Sequence, residues 1–370
     1  MGVFARRALP GASFLSAAVV AILASLFMTA AVASAAPQAN RYGVISSING
    51  FSLFHSPQSQ WGPQLAAMRR QGVQMVRTDA PWSNVEPTAP TSSGPTWHFG
   101  AMDSWVTALA QNHVTWEPIH DYNNTWASAA TDNADFAAYA AAVAARYGPV
   151  GTFWSEHPGL PYEPVKIFEL WNEENTTQWY LSPQDYGALY LAVHTAIHAV
   201  DPSASVDLGG LSDSGTYVQN NDGASWYLVY LFGYLPQLVT VIDGYAIHPY
   251  GTTATDSAEW VVDFRHTLSH YGVPSSVPID VTEFGWPYSS SSESWRAQQT
   301  NALGAAFSRS NCGIREAAPY DWINPSNDGM NDTDFGFVDP SASNTTLRPA
   351  GAAWFGAFAQ GSNEPTFVMC

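Results

Sequence analysis

One feature constrains this 370-residue chain more than any other. Between Arg41 and Gly361 a short apolar run is followed, eight times over, by a longer segment of helical pattern. Tyr42–Ile48 reads as the first strand, with a helix over Pro63–Gln71. Val73–Thr78 pairs with Ala101–Asn112, Val114–Ile119 with Ala134–Tyr147, and Val165–Trp171 with Pro183–Val200. Ser205–Leu208 is followed by Ala224–Leu235, Val241–Ile247 by Ala258–Tyr271, and Val277–Thr282 by Ser294–Ser310. Ile314–Tyr320 and Pro349–Phe358 close the series. Eight strand–helix units predict an α/β fold, a single (β/α)8 TIM barrel. An open doubly wound sheet shows similar alternation, but the first strand-to-helix turn lacks G-x-G-x-x-G. No linker splits the run, so residues 37–370 are expected to form one domain. Long Trp-, Asn-, Ser- and Pro-rich loops follow strands two, three, four and eight. In a barrel these lie on the C-terminal face, where sites are built.

Residues 1–36 stand apart. Arg6 and Arg7 precede an apolar run from Phe14 to Ala33, and Ala33-Ser34-Ala35 has the small-residue pattern of a signal-peptide cleavage site. Cleavage after Ala35 or Ala36 by the general export route is expected, giving a secreted or periplasmic product free of the membrane. An uncleaved anchor is the alternative, because the run approaches spanning length. The Arg pair lacks the pattern surrounding a twin-arginine signal.

Charge excludes other partners. With 31 Asp plus Glu against 13 Lys plus Arg, net −18, and Lys166 as the sole lysine, the chain has no basic patch for nucleic acid or anionic lipid. Aromatic residues make up 14% of the chain. They serve a large core, and flat rings are also what sugars stack on.

Two motifs carry chemistry. The fourth strand runs into Glu169-Leu-Trp-Asn-Glu-Glu-Asn175, and the seventh into Asp280-Val-Thr-Glu-Phe-Gly-Trp-Pro287. Each places a Glu just past a strand C-terminus, so both carboxylates project into one barrel mouth. Cleaving a glycosidic bond with retained anomeric configuration requires such a pair, one protonated and one ionised, about 5–5.5 Å apart. Buried Glu residues can instead be structural ion-pair partners, but so few cations leave them few mates. Glu86, Glu117 and Glu169 are read as structural. No G-x-S-x-G elbow supports a serine hydrolase.

Trp-Asn-Glu after the fourth strand with Thr-Glu-Phe-Gly-Trp after the seventh resembles the clan of retaining glycoside hydrolases built on (β/α)8 barrels. Within it the chain is most similar to glycoside hydrolase family 39 and its cellulase-like relatives, and Asp243-Gly-Tyr-Ala-Ile-His-Pro-Tyr250 fits the same pattern. The resemblance covers nearly all of residues 37–370. It implies Glu173 as acid/base and Glu283 as nucleophile. Asn172 would bond the sugar 2-hydroxyl, and Arg77 would support the nucleophile. His248 and Tyr250 would line the sugar or hold the nucleophile, and Trp322 would form a platform beneath it. His120, Tyr122, Trp126 and Trp286 are further mouth-lining candidates. The clan commonly has Pro after its acid, whereas Glu174 stands here. Either Glu174 raises the acid's pKa or it points outward as a solvated charge, the favoured reading. Whether Glu173 or Glu174 is the acid stays open, and the preceding Asn favours Glu173.

The expected activity is an exported retaining glycosidase, a hydrolase of β-linked polysaccharide or oligosaccharide. It would work as a monomer on a carbohydrate substrate, with no cofactor and no metal. A catalytically dead glycan-binding barrel and a transglycosylase using the same Glu pair are the alternatives. Cys312 and Cys370 are expected to pair, since the final helix should return the tail to the face where Cys312 lies; a frayed tail with a free thiol is the other reading. Asn324–Asp334 superficially resembles a calcium loop but has Phe335 where the bidentate Glu belongs. Of four sequons, at Asn123, Asn175, Asn331 and Asn344, a glycan at Asn175 would obstruct the site.

Overall fold

The computed structural model describes residues 39–213, 223–324, 334–339, 345–361 and 363–370. The expected leader, the sequons at Asn331 and Asn344, and most of the Asn/Asp-rich stretch lie outside them. Eight parallel strands close into a barrel in sequence order. They are β1 (Ile45–Asn49), β2 (Met75–Asp79), β3 (Thr115–His120), β4 (Ile167–Asn172), β5 (Ser205–Ser212), β6 (Gly244–His248), β7 (Ile279–Val281) and β8 (Ile314–Ala317). Outside lie α1 (Phe51–Phe54), α2 (Gln58–Arg70), α3 (Trp82–Val85), α4 (Gly100–Gln111), α5 (Asn133–Tyr147), α6 (Thr152–Glu156), α7 (Pro183–Val200), α8 (Ala224–Tyr234), α9 (Ala254–His270), α10 (Glu293–Phe307) and α11 (Pro349–Gly361). No helix among the described residues is long and apolar enough to cross a membrane.

The eight-unit barrel expectation holds, with shifted boundaries. Val241, Ile242 and Asp243 form a turn after a 3-10 segment (Pro236–Thr240), so the sixth strand starts at Gly244. α9 starts four residues before the expected Ala258 because Thr253 and Asp256 form a reciprocal capping box. β5 continues past Leu208 through Gly209 and Gly210, where its pairing with β6 shifts register. A Cβ on Gly210 would lie 1.9 Å from His248 Nε2, so only glycine leaves room for that ring.

The apolar core lies between strands and helices, with Trp82, Trp105, Trp116, Trp322 and Trp354 fully buried in it. The barrel interior is largely polar. Arg315 pairs with both Asp207 and Asp280, which lie on β5 and β7. Glu117 of β3 meets Glu316 of β8, and Arg77 of β2 meets Glu169 of β4. Apart from the adjacent β7 and β8, these strands are not neighbours, so the Arg315–Asp207, Glu117–Glu316 and Arg77–Glu169 contacts cross the interior. Glu117 is fully buried among these interior groups.

Burial pushes Glu117 up to about 8, with the nearby Glu169 adding to it. Burial also pushes Asp321 to about 8, against hydrogen bonds from Ser52 and Trp322. An acid whose pKa is higher in the folded than in the unfolded chain stabilises the fold fully below the unfolded value, near 4. That contribution is lost as pH rises through the folded value, here near 8. The expected result is a melting temperature several degrees lower at pH 9 than at pH 5, with the difference reduced in Glu117→Gln. A flat or rising profile across that range would refute it.

Cys312 and Cys370 form a disulfide that closes a 58-residue separation. The tail reaches it by pairing Phe367 with Ser310, and Asn311 Oδ1 accepts from the Met369 and Cys370 amides. Closing a loop of that size is worth about 4 kcal/mol in the chain-entropy model. Cys312 precedes β8 and so lies on the face opposite the barrel mouth. Reduction should lower the melting temperature by several degrees and leave turnover at low temperature unchanged. Parallel melts and rate assays with and without reductant check this, and a parallel fall in both would place the bond's influence at the site.

Candidate active site

A cleft of about 510 Å³ opens at the C-terminal ends of the strands. Its walls include Asn49, Arg77, Asp79, Asn172, Glu173, Tyr250 and Glu283. Its aromatic lining is Phe51, Tyr122, Trp179, Trp286, Tyr320 and Phe335.

The end of β4 is bent to reach it. Trp171 and Glu173 both adopt left-handed backbone conformations, with φ of 71° and 52°. Non-glycine residues rarely do so, and such strain gathers at functional sites. The Glu173 amide donates to Gly210 O at 3.1 Å, and Thr176 Oγ1 donates to Glu173 O at 2.9 Å, which together hold the turn. The Glu173 side chain is 22% exposed and faces the cleft.

Glu283 follows β7, with its side chain 13% exposed. Its Oε1 accepts from Arg77 Nη1 at 2.6 Å and Asn49 Nδ2 at 3.4 Å, and its Oε2 accepts from Tyr250 at 2.7 Å. Burial pushes this carboxyl up. The charges of His248 and Arg77 and the Tyr250 and Arg77 hydrogen bonds outweigh it, leaving Glu283 below the usual carboxylate range.

Two side chains tie the site together. His248 is fully buried, with Nδ1 3.0 Å from Glu173 and 3.8 Å from Glu283, and Nε2 3.1 Å from Thr282 Oγ1. Donor atoms of Glu173, His248 and Glu283 all lie within 4.8 Å of one another. Arg77 divides its guanidinium among Glu283, Glu169 (2.5 and 3.0 Å) and Asn172 Oδ1 (2.9 Å). One buried cation thus serves two carboxylates, which answers the scarcity of cations in the sequence.

Several expectations need correction. Glu174 is fully buried rather than solvated, packed beside Gly209 and Tyr186 of α7. Burial pushes its carboxyl well above the usual range. Trp322 is fully buried, donates to Gln64 at 2.8 Å and packs on Phe355, so it gives the cleft no platform. Tyr320, two residues earlier and likewise past the end of β8, lines the cleft instead. His120 is buried against Tyr139 and Phe168, and burial lowers its pKa to about 3, so it is a neutral core ring. Trp126 packs on Trp82 and donates to Glu86 O, bracing a loop rather than facing the cleft. Tyr122 and Trp286 do line it; Tyr122 stacks on Trp179 at 4.3 Å, and Trp286 donates to Gly251 O. Glu86 accepts from the Trp82 indole, as befits a structural residue. Asn175 is buried, leaving no room for a glycan.

Sequence reasoning missed Asp79, two residues after Arg77. It lines the cleft beside the buried Asp121, and burial raises it to about 6 against the pull of Arg77 and His55. Alternation along β2 was the available signal, since Arg77 and Asp79 share a face. Asn49, Phe51, Trp179 and Phe335 carried no signal of comparable strength.

No protein-family model and no curated protein sequence matches the chain. Solved structures do. A family 39 glycoside hydrolase from the gut symbiont Bacteroides cellulosilyticus superposes with a TM-score of 0.65 at 18% identity, covering 88% of this chain and 66% of its own. A monomeric β-xylosidase from Caulobacter crescentus gives 0.63 at 15%, covering 87% and 68%. An endo-1,4-β-mannanase from Rhizomucor miehei gives 0.55 at 16%, covering 84% and 94%. The chain thus spans about two thirds of the first two and nearly all of the third. Identities this low establish architecture, and the architecture is the (β/α)8 barrel on which these glycoside hydrolases are built.

Proposed function

We propose that this protein is an exported retaining glycoside hydrolase that cleaves β-linked oligosaccharide or polysaccharide by double displacement. One observation carries the reading: Glu173 and Glu283, from the ends of β4 and β7, face one cleft with a carboxylate oxygen of each within 4.8 Å of the other. That closeness supports the retaining arrangement, with carboxyls about 5–5.5 Å apart, over the inverting one, whose carboxyls stand about 6.5–9.5 Å apart to admit a water.

In the first step Glu283, ionised and held by Arg77 and Tyr250, attacks the anomeric carbon. Glu173 donates its proton to the leaving oxygen as the glycosidic bond breaks, and a glycosyl ester forms on Glu283. In the second step Glu173, now a carboxylate, takes a proton from water. The water oxygen attacks the anomeric carbon, the ester bond breaks, and Glu283 returns to its ionised form. Arg77 donates to Asn172 Oδ1 and so fixes the amide, leaving Nδ2 to donate to a sugar hydroxyl. The cleft aromatics supply faces for ring stacking. The presence of a β-xylosidase and an endo-1,4-β-mannanase among the structural neighbours supports a β-linked substrate. Export rests on the N-terminal sequence, and the enzyme is proposed to act as a monomer without a cofactor.

The test is a screen of β-linked glycans with product sizing, followed by proton NMR of the first-formed product. The expected outcome is release of a β-anomer that then mutarotates. An α-anomer first would overturn the retaining assignment, and binding without turnover across the screen would favour a glycan-binding barrel.

A further inference from the structure

We infer that the face of the barrel opposite the cleft carries a divalent-metal site made by His194, His198 and Asp243, suited to zinc. His194 and His198 are four residues apart on α7, so their side chains rise from one face, one turn apart. Their rings lie with centroids 4.1 Å apart, and both Nε2 atoms address the same oxygen, Asp243 Oδ2, at 3.4 and 2.8 Å. All three donor atoms lie within 4.8 Å of one another. Donors about 2.0–2.1 Å from a tetrahedral zinc stand about 3.3 Å apart, which the His194 spacing to Asp243 matches and the His198 spacing reaches with a small outward shift.

The surroundings fit a built site. The Val206 amide of β5 donates to Asp243 Oδ2 at 3.0 Å and fixes the carboxylate. Side-chain exposures of 21%, 25% and 29% leave the donors reachable yet held. Two imidazole nitrogens and one carboxylate oxygen form a donor set for zinc or a neighbouring late first-row cation, with water completing the shell. Asp243 directly precedes β6, and the histidines lie in the C-terminal half of α7, which leads into β5. The ion would therefore clip α7 to the turn before β6, away from the catalytic cleft.

Zinc binding by equilibrium dialysis and calorimetry tests this, using EDTA-treated, dialysed protein that carries no histidine tag. One ion per chain is expected, with a micromolar Kd or tighter. At a hundredfold excess over Kd the melting temperature should rise by about 4 °C. His194→Gln, His198→Gln and Asp243→Asn should each weaken binding at least tenfold and cut the shift at the same zinc concentration to about half or less, while circular dichroism shows the fold retained. Glu173→Gln should bind as the parent does, which separates this site from the Glu173–His248–Glu283 group. Unchanged stoichiometry and affinity in the two histidine variants, or no uptake at about 1 mM zinc, would overturn the assignment.

Discussion

Glu283→Ala should lose hydrolysis by a factor on the order of 10⁴–10⁶ while the protein stays folded. The carboxylate is the atom group that would bond to the anomeric carbon, and nothing in the cleft can replace it. Tyr250 and Arg77 aim at Glu283 rather than past it, and Glu173 faces it across the cleft. The fold should survive because Arg77 keeps its bonds to Glu169 and Asn172, so the buried cation is not stranded. The truncated side chain leaves a pocket flanked by Arg77, Asn49 and Tyr250, a fitting place for a small anion. Added azide should enter it, attack the anomeric carbon and yield a glycosyl azide of inverted configuration from an activated substrate. Chromatography and NMR of the products read the result. Parent-level turnover by Glu283→Ala would sink the nucleophile assignment.

Glu173→Ala should separate substrates by leaving group. A general acid contributes roughly 10²–10⁴ in rate where the departing oxygen needs a proton, and little where it leaves as a stable phenolate. Hydrolysis of natural glycans should therefore fall by about that factor, while release of a dinitrophenol should fall far less. Equal loss on both would argue against the acid role. Glu174→Ala is the internal control, since the neighbouring carboxyl is buried beside Tyr186 and faces no substrate. It should lower the melting temperature and show no leaving-group selectivity. Selectivity in Glu174→Ala and its absence in Glu173→Ala would exchange the two roles.

The architecture was legible in the sequence because its cause is local and repeated. Eight apolar runs separated by helical segments leave few ways to bury both faces of a parallel sheet, and barrel closure is one of them. Glu173 and Glu283 were legible as strand-end residues for the same reason, as was the approach of Cys370 to the residues before β8. What alternation alone could not give was the direction of side chains where it fails. In a regular strand Glu169 and Asn172 fall on opposite faces, yet both bond Arg77. The left-handed turn at Trp171 reverses the parity, sending Asn172 inward, and a second at Glu173 parts the two neighbouring carboxylates. Trp322 and Tyr320 stand two apart yet divide between core and cleft, because both lie past the end of β8, where strand alternation no longer applies. His194 and His198 show one helical face in the sequence, but Asp243 lies 45 residues from His198 and joins them only through the closed barrel. The sequence by itself thus determined the barrel and the strands that present the acid pair. Tertiary structure decided which side chains converge there, because backbone reversal and cross-barrel register depend on contacts that no local pattern encodes.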